Sequence, residues 1–168
     1  MDFEQIKLHL NAYKENDQVI DAAKYLLYSF GLEHENFAGF GLREAIPNLV
    51  LLTTEGELGE PQTVMIPPNL FDFELNLILN VIAHEMLHVR QKAPEQTVED
   101  KNEREFQAYY EMLFHKNFPK IPDASDFHKK IFGEKAFEYY KRMGEGSELQ
   151  KKYATQKAEI EQLINVLP

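Results

Sequence analysis

The segment from Phe71 to Lys92 constrains the fold more than any other part of the chain. At about 100° per residue, its apolar side chains fall on every side of a helix, and such a helix is normally buried in the middle of its domain. Asn69 or Asp72 is suited to cap its beginning, and Pro94 closes it. We therefore predict a central helix around which the other elements pack.

The chain before this helix has two kinds of pattern. Apolar residues recur at helical spacing over the first 30 residues, whereas residues 31–47 contain three glycines and a proline and are predicted to be irregular. Two short apolar runs then follow, Leu49 to Thr54 and Thr63 to Ile66, separated by turn-forming residues. They predict a hairpin or two neighbouring strands.

The chain after the central helix is predicted to be helical. Thr97-x-x-Asp100 can cap a helix that ends near Phe118, and two further helices are predicted over 125–143 and 147–167. The fold class that follows is α+β, mostly helical with a small antiparallel sheet beside the central helix.

Two histidines and a glutamate lie inside the central helix, in the run His84-Glu85-Met86-Leu87-His88. Residues four apart differ by about 40° around a helix, so both imidazoles can bind one metal ion. Glu85 lies about 100° from His84, where it can hold a water on the metal and accept its proton. The alternative is a pair of buried histidines bonded to backbone carbonyls. Burying these groups in an apolar helix without a metal would be costly, so we predict a metal site.

A third ligand must be histidine or a carboxylate, because the chain has no cysteine. A helical wheel of the next helix places Glu105 at the edge of its apolar face, and places Glu103 and Glu111 on its polar side. A carboxylate on a buried face needs a cation, whereas solvated carboxylates do not. Glu105 is therefore the predicted third ligand, and Glu103 is the alternative.

Over about residues 48–115 the chain resembles a gluzincin, a zinc metallopeptidase with two histidines on one helix and a glutamate on the next. The run Glu105-Phe106-Gln107-Ala108-Tyr109 is similar to a segment of the compact minigluzincin type and of integral-membrane CAAX proteases. The resemblance implies a zincin-like fold and a Zn²⁺ cofactor. It also implies that His84, His88 and Glu105 bind the zinc and that Glu85 is the general base.

Tyr109 departs from the family pattern, because relatives often have an aspartate there that orients a ligand histidine. Either the Tyr109 hydroxyl takes this role, or another group such as Asn80 or Asn102 does. Many gluzincins also use a tyrosine or histidine to stabilise the oxyanion. The candidates for that role are Tyr109, Tyr110, His115 and His128. The strand Thr63–Ile66 is either an edge strand that pairs with extended substrate or simply the second strand of the sheet.

These observations predict a zinc-dependent peptidase that hydrolyses peptide bonds in a peptide or protein substrate. The alternative is a zinc-binding regulatory or interaction protein with one dedicated protein partner and little general protease activity. A net charge of −10 argues against nucleic-acid binding. No run approaches the roughly 18 apolar residues of a membrane span, and the acidic N-terminus has no apolar signal region. We expect one cytoplasmic domain over residues 1–168, with a monomer favoured.

Overall fold

The computed structural model describes residues 2–168, which form seven α-helices, one short 3₁₀ helix and a three-stranded sheet. The chain is therefore an α+β protein that is mostly helical, as predicted. The helices are α1 (Phe3–Glu15), α2 (Val19–Ser29), α3 (Leu75–Gln91), α4 (Lys101–Phe114), α5 (Asp126–Arg142), α6 (Glu148–Lys152) and α7 (Ala154–Val166), with the 3₁₀ helix at Leu70–Asp72. The strands are β1 (Phe37–Leu42), β2 (Thr53–Glu55) and β3 (Gln62–Ile66).

The predicted pair of neighbouring strands is confirmed as β2 and β3, but a third strand makes the sheet mixed, so the prediction of a wholly antiparallel sheet is wrong. Its strand order is β1-β3-β2, with β1 parallel and β2 antiparallel to β3. The first strand lies in the stretch predicted to be irregular, because its glycines interrupt the apolar pattern that marks a strand. Gly41 pairs with Met65, and a Cβ atom at Gly41 would lie 2.7 Å from the Met65 sulfur. The glycine therefore permits the close packing of β1 beside β3.

The predicted helical N-terminal region is divided into α1 and α2. Asp17, between them, has a φ of 54°, which a continuing helix cannot contain. The predicted last helix is likewise divided into α6 and α7, at the buried Tyr153. Both breaks fall inside apolar patterns that are close to helical, so periodicity alone does not reveal them.

Helix α3 begins four residues later than the predicted start at Phe71. Glu74 precedes it without a side-chain cap, and the predicted caps Asn69 and Asp72 lie at the 3₁₀ helix instead. Asp100 caps α4 by accepting a hydrogen bond from the Glu103 N–H.

Two further details of this region differ from the prediction. The Thr97 hydroxyl donates to the Ala93 carbonyl rather than capping α4. The helix ends at Phe114, where His115 takes a left-handed conformation, rather than near Phe118.

The central position predicted for α3 is confirmed. One hydrophobic cluster packs α3 against α1, α2 and the sheet, and a second joins α4, α5 and α7 and receives Leu77 and Val81 from α3. His84, Glu85 and His88 are each at most 8 % exposed. Among the helices in residues 2–168, none combines the length and apolar character needed to cross a membrane.

Candidate metal centre

Three side chains that could hold a metal ion come together where α3 packs against α4: His84, His88 and Glu105. The Nε2 atoms of the two histidines are 3.1 Å apart. The carboxylate oxygens of Glu105 lie 3.4 Å from His84 Nε2 and 3.2 Å from His88 Nε2. In a tetrahedral site with bonds of about 2.0–2.1 Å, neighbouring ligand atoms are about 3.3 Å apart. The two Nε2 atoms are separated by about this distance, and a different Glu105 oxygen lies at a similar distance from each of them, so the three side chains are close enough to share one ion.

The charges around these three side chains favour a cation between them. Burial raises the pKa of Glu105, but hydrogen bonds and charges from His84 and His88 outweigh burial and hold this pKa well below its usual range. Burial lowers the pKa of His88, but contacts with Glu105 and the charge of Glu85 leave it above its ordinary value. The carboxylate therefore stays ionised, and positive charge beside it is stabilised.

The orientation of His88 is fixed by Gln91, which is buried at 3 % exposure. The amide nitrogen of Gln91 donates to the Arg104 carbonyl at 3.0 Å and to the Gln107 Oε1 atom at 2.9 Å. The remaining Oε1 atom of Gln91 lies 2.8 Å from His88 Nδ1. Because an amide oxygen only accepts hydrogen bonds, His88 carries its proton on Nδ1. Its Nε2 lone pair is then free to bind a metal.

The other histidine is held by different contacts. His84 Nδ1 lies 3.2 Å from the Met112 sulfur, and the Tyr109 ring packs against the imidazole with centroids 4.7 Å apart. The partners of the two Nδ1 atoms are thus Gln91 and Met112 rather than the predicted hydroxyl of Tyr109.

The two asparagines predicted as alternatives bond elsewhere. Asn80 bonds to Asn76, Pro122 and His115, and Asn102 bonds to the Arg142 carbonyl. Gln91 could have been found by its spacing, since residues three apart on a helix meet. No sequence signal indicates Met112.

Glu85 lies beside the three metal-binding candidates without belonging to them. Its Oε2 atom accepts a hydrogen bond of 2.7 Å from the Thr54 hydroxyl, which is on β2. The Thr54 hydroxyl also lies 3.1 Å from the Glu85 carbonyl oxygen. One oxygen of the carboxylate is therefore held in place by β2. Sequence analysis did not identify Thr54, because it lies 31 residues before Glu85 in the chain.

Two cavities meet at this centre. The first, called here the apolar groove, has a volume of about 880 Å³ and includes His84 and Tyr109. Most of its other lining residues are apolar and come from the segment before β2 and from α3 and α5. Six of them are Leu49, Leu77, Val81, Phe127, Ile131 and Phe132.

The second cavity, called here the cationic pocket, has a volume of about 240 Å³. It is lined by His88, the threonines of β2 and three basic residues. These are Lys92, Lys101 and Arg104. Leu52, Glu85 and Glu105 line both cavities, so the metal-binding candidates lie at their junction.

The structure separates the four predicted oxyanion candidates into two groups. Tyr109 and His128 line the apolar groove. The Tyr110 hydroxyl instead bonds to Glu159, and His115 bonds to Asn80 at the end of α4. Burial raises the pKa of Tyr109, and the negative charge of Glu105 raises it further. The hydroxyl of Tyr109 is therefore a hydrogen-bond donor.

The other two acidic residues considered on α4 are buried, so the prediction that they face solvent is wrong. Glu103 is 9 % exposed and accepts hydrogen bonds from Tyr153 and Lys152, away from the histidines. Glu111 is 1 % exposed and accepts from the backbone N–H groups of Asn117 and Phe118. A buried carboxylate can thus be satisfied by backbone donors instead of a cation. Of the two glutamates predicted as third ligand, the structure brings Glu105 and not Glu103 to the histidines.

The strand predicted to pair with substrate is not available for that role. The strand β3 is paired on both sides, whereas within residues 2–168 β2 has a strand neighbour on one side only. The residues from Leu52 to Thr54 line the two cavities. An extended ligand at this centre would therefore meet β2 rather than β3.

The resemblance to gluzincins rests on the sequence alone. A comparison with models of protein families, one with curated proteins and one with solved structures each found no match to this chain.

Proposed function

We propose that this protein is a zinc-dependent peptidase. The observation that carries the proposal is that two imidazole nitrogens and one carboxylate, each able to bind a metal ion, come together. The carboxylate of Glu85 lies beside them. Within residues 2–168, the group has three members, His84, His88 and Glu105. Structural zinc is normally closed by four protein ligands, whereas catalytic zinc keeps one position open. Three ligands therefore favour catalysis over a structural role.

The donor set favours zinc among the common metal ions. Two neutral imidazoles and one carboxylate, without thiolate, are the ligand set of hydrolytic zinc sites. A zinc ion held by His84, His88 and Glu105 would act as a Lewis acid that acidifies water and polarises a carbonyl group. The Nδ1–H of His88, held by Gln91, supports this role because it directs the other ring nitrogen to the ion.

Glu85 is the proposed general base. It accepts the proton of the attacking water on its carboxylate and passes that proton to the nitrogen of the leaving amine. The Thr54 hydroxyl holds one carboxylate oxygen at 2.7 Å and leaves the other to receive the proton. Burial at 8 % exposure keeps this carboxylate near the reacting atoms and limits competing solvent.

Tyr109 is the proposed hydrogen-bond donor to the oxygen of the scissile carbonyl. Its ring packs on His84 and lines the apolar groove, so its hydroxyl belongs to the same cavity as the reaction. A tyrosine hydroxyl is protonated at neutral pH, and burial raises the pKa of Tyr109 further, so this group can donate a hydrogen bond to the developing negative charge.

The proposal is tested by metal analysis combined with hydrolysis of a mixed peptide library. We expect the purified protein to carry one zinc ion per chain and to generate new peptide termini, detected by mass spectrometry. Chelation should abolish this hydrolysis, and added zinc should restore it. Stoichiometric zinc without hydrolysis would contradict the proposal and favour the alternative, a zinc-binding regulatory protein with one protein partner.

A further inference from the structure

The cationic pocket holds three basic side chains that form no direct ion pair. Lys92, Lys101 and Arg104 line it, in a chain with 28 acidic and 18 basic residues. Across residues 2–168, every ion pair within 4.0 Å involves other basic groups. Acidic residues are thus abundant in the chain, yet none pairs directly with these three.

Local contacts hold these basic groups at the pocket without neutralising them. The Arg104 guanidinium donates to the carbonyls of Val98 and Glu99 at 2.8 Å, and Lys92 Nζ lies 3.4 Å from the Gly56 carbonyl. Burial lowers the pKa of Lys92, and the positive charge of Arg104 lowers it further, although the charges of Glu57, Glu85 and Glu105 act in the opposite direction. Lys92 and Arg104 therefore repel each other. An anion bound here would relieve that repulsion.

The two acidic residues that line the pocket have other partners. Glu105 faces His84 and His88, and Glu85 accepts a hydrogen bond from Thr54. A divalent ion at the centre would balance these two carboxylates. The basic residues would then remain available to a negatively charged group of a ligand.

The apolar groove, which adjoins the cationic pocket, exposes apolar side chains to solvent. Leu49 is 50 % exposed, Phe127 is 70 % exposed and Ile131 is 36 % exposed. Exposed apolar side chains grouped along one cavity are typical of a binding surface. Leu52, immediately before β2, lines this groove and the cationic pocket, so a single extended ligand beside β2 would reach both.

We propose that the substrate is an extended peptide with an apolar side chain in the apolar groove and a carboxylate in the adjoining cationic pocket. This inference rests on the proposed peptidase function and names its substrate class. The acidic balance of the whole chain would suggest basic peptides, but the charges that line a cleft determine its selectivity. The carboxylate is either an Asp or Glu side chain or the free C-terminus of the peptide.

The test measures peptide binding separately from hydrolysis, with the zinc-loaded Glu85→Gln protein. Each fluorescein-labelled peptide carries one leucine and one test residue, which is Glu, Gln or Lys. The test residue is placed at each of the four positions after the leucine in turn. They are prepared with amidated and with free C-termini, and binding is followed by fluorescence anisotropy. We expect the best Glu peptide or the free-carboxylate form to bind about tenfold more tightly than its neutral counterpart at low salt. The amidated set distinguishes a side-chain carboxylate from a terminal one.

Charge variants assign this preference to the pocket. Lys101→Gln should reduce the preference for acidic peptide, and Lys101→Glu should reverse it in favour of the Lys peptide. Lys7→Gln changes the net charge by the same amount on α1 and should leave the preference unchanged. Ile131→Ser should weaken binding of acidic and neutral peptides alike, because it alters the apolar groove alone.

The assignment of substrate class and the proposed peptidase function can fail independently. Equal affinity for acidic and neutral peptides, or no binding of either, would overturn the assignment of substrate class. The wild-type zinc protein is then given the same peptides. Cleavage without any acidic preference would overturn the substrate class and leave the peptidase in place. Selective binding of acidic peptides without cleavage would contradict the peptidase and retain the recognition site.

Discussion

The Nδ1 atom of His88 lies 2.8 Å from the Oε1 atom of Gln91, one turn further along α3. The hydrogen bonds continue from Gln91 to Gln107 on α4, and from Gln107 to Tyr153 at the junction of α6 and α7. The orientation of a candidate metal-binding imidazole is thereby connected to the C-terminal part of the chain. Partners of this kind fix the tautomer and basicity of a ligand histidine.

Gln91→Met tests this contact, because it keeps the length of the side chain and removes the acceptor for His88. We expect the Kd for zinc to rise by about 10- to 100-fold. The measurement is competition with a chelating dye at neutral pH. Gln5→Met, on the exposed face of α1, is the matched control and should bind zinc like the wild type. An unchanged Kd in Gln91→Met would show that His88 is oriented by other contacts.

Glu85→Gln tests the general base. The amide cannot accept the proton, so kcat should fall by about 10²- to 10⁴-fold while zinc content stays near one ion per chain. His84→Ala should lose both zinc and hydrolysis, because it removes a ligand. Zinc is measured by elemental analysis, and kcat is measured with a peptide that the wild type cleaves. Normal hydrolysis by Glu85→Gln would refute this mechanism.

Thr54→Val tests how Glu85 is held. The substitution keeps the β-branched shape and removes the 2.7 Å hydrogen bond to Oε2. Since a hydrogen bond to a charged group contributes about 1.5–3 kcal/mol, we expect kcat/KM to fall by at least about tenfold with unchanged zinc content. Thr63→Val on the neighbouring strand β3 is the control. A full rate in Thr54→Val would mean that burial alone positions Glu85.

Tyr109→Phe removes the hydroxyl proposed to stabilise the oxyanion and keeps the ring that packs on His84. We expect kcat to fall by about 10²-fold or more, with little change in KM. Tyr110→Phe provides a matched control at the next residue, because its hydroxyl bonds to Glu159 instead. If Tyr109→Phe is fully active, His128 becomes the candidate, since it lines the same groove.

Helical periodicity was sufficient to predict the centre of the fold and most of the candidate metal site. The i, i+4 spacing of His84 and His88 and the wheel position of Glu105 depend on local geometry, which a sequence shows directly. The structure brings these three side chains together. The strand β1 was missed because Gly39 and Gly41 carry no side chain that could mark an alternating pattern.

Contacts between distant segments could not be predicted in this way. The bond from Thr54 to Glu85 depends on how β2 packs on α3, and no local spacing reports it. The same limitation explains the errors on α4. Glu103 and Glu111 are on the side of the helix that the wheel assigns to solvent, yet other segments of the chain cover them and supply their hydrogen bonds. Burial of a surface by tertiary packing therefore overrides the helical pattern.

Glu111 provides the last test, which concerns stability. Its carboxylate is 1 % exposed and accepts hydrogen bonds of 2.8 and 3.0 Å from the backbone N–H groups of Asn117 and Phe118. Glu111→Ala would leave these donors unsatisfied in the segment that follows α4, so the free energy of unfolding should fall by about 2–4 kcal/mol. Urea denaturation measures the change, with Glu134→Ala on the exposed face of α5 as the control. A loss no larger than that of the control would mean that water replaces the carboxylate. Zinc-free protein should show the same loss, because Glu111 supports the chain that follows α4 and not the metal centre.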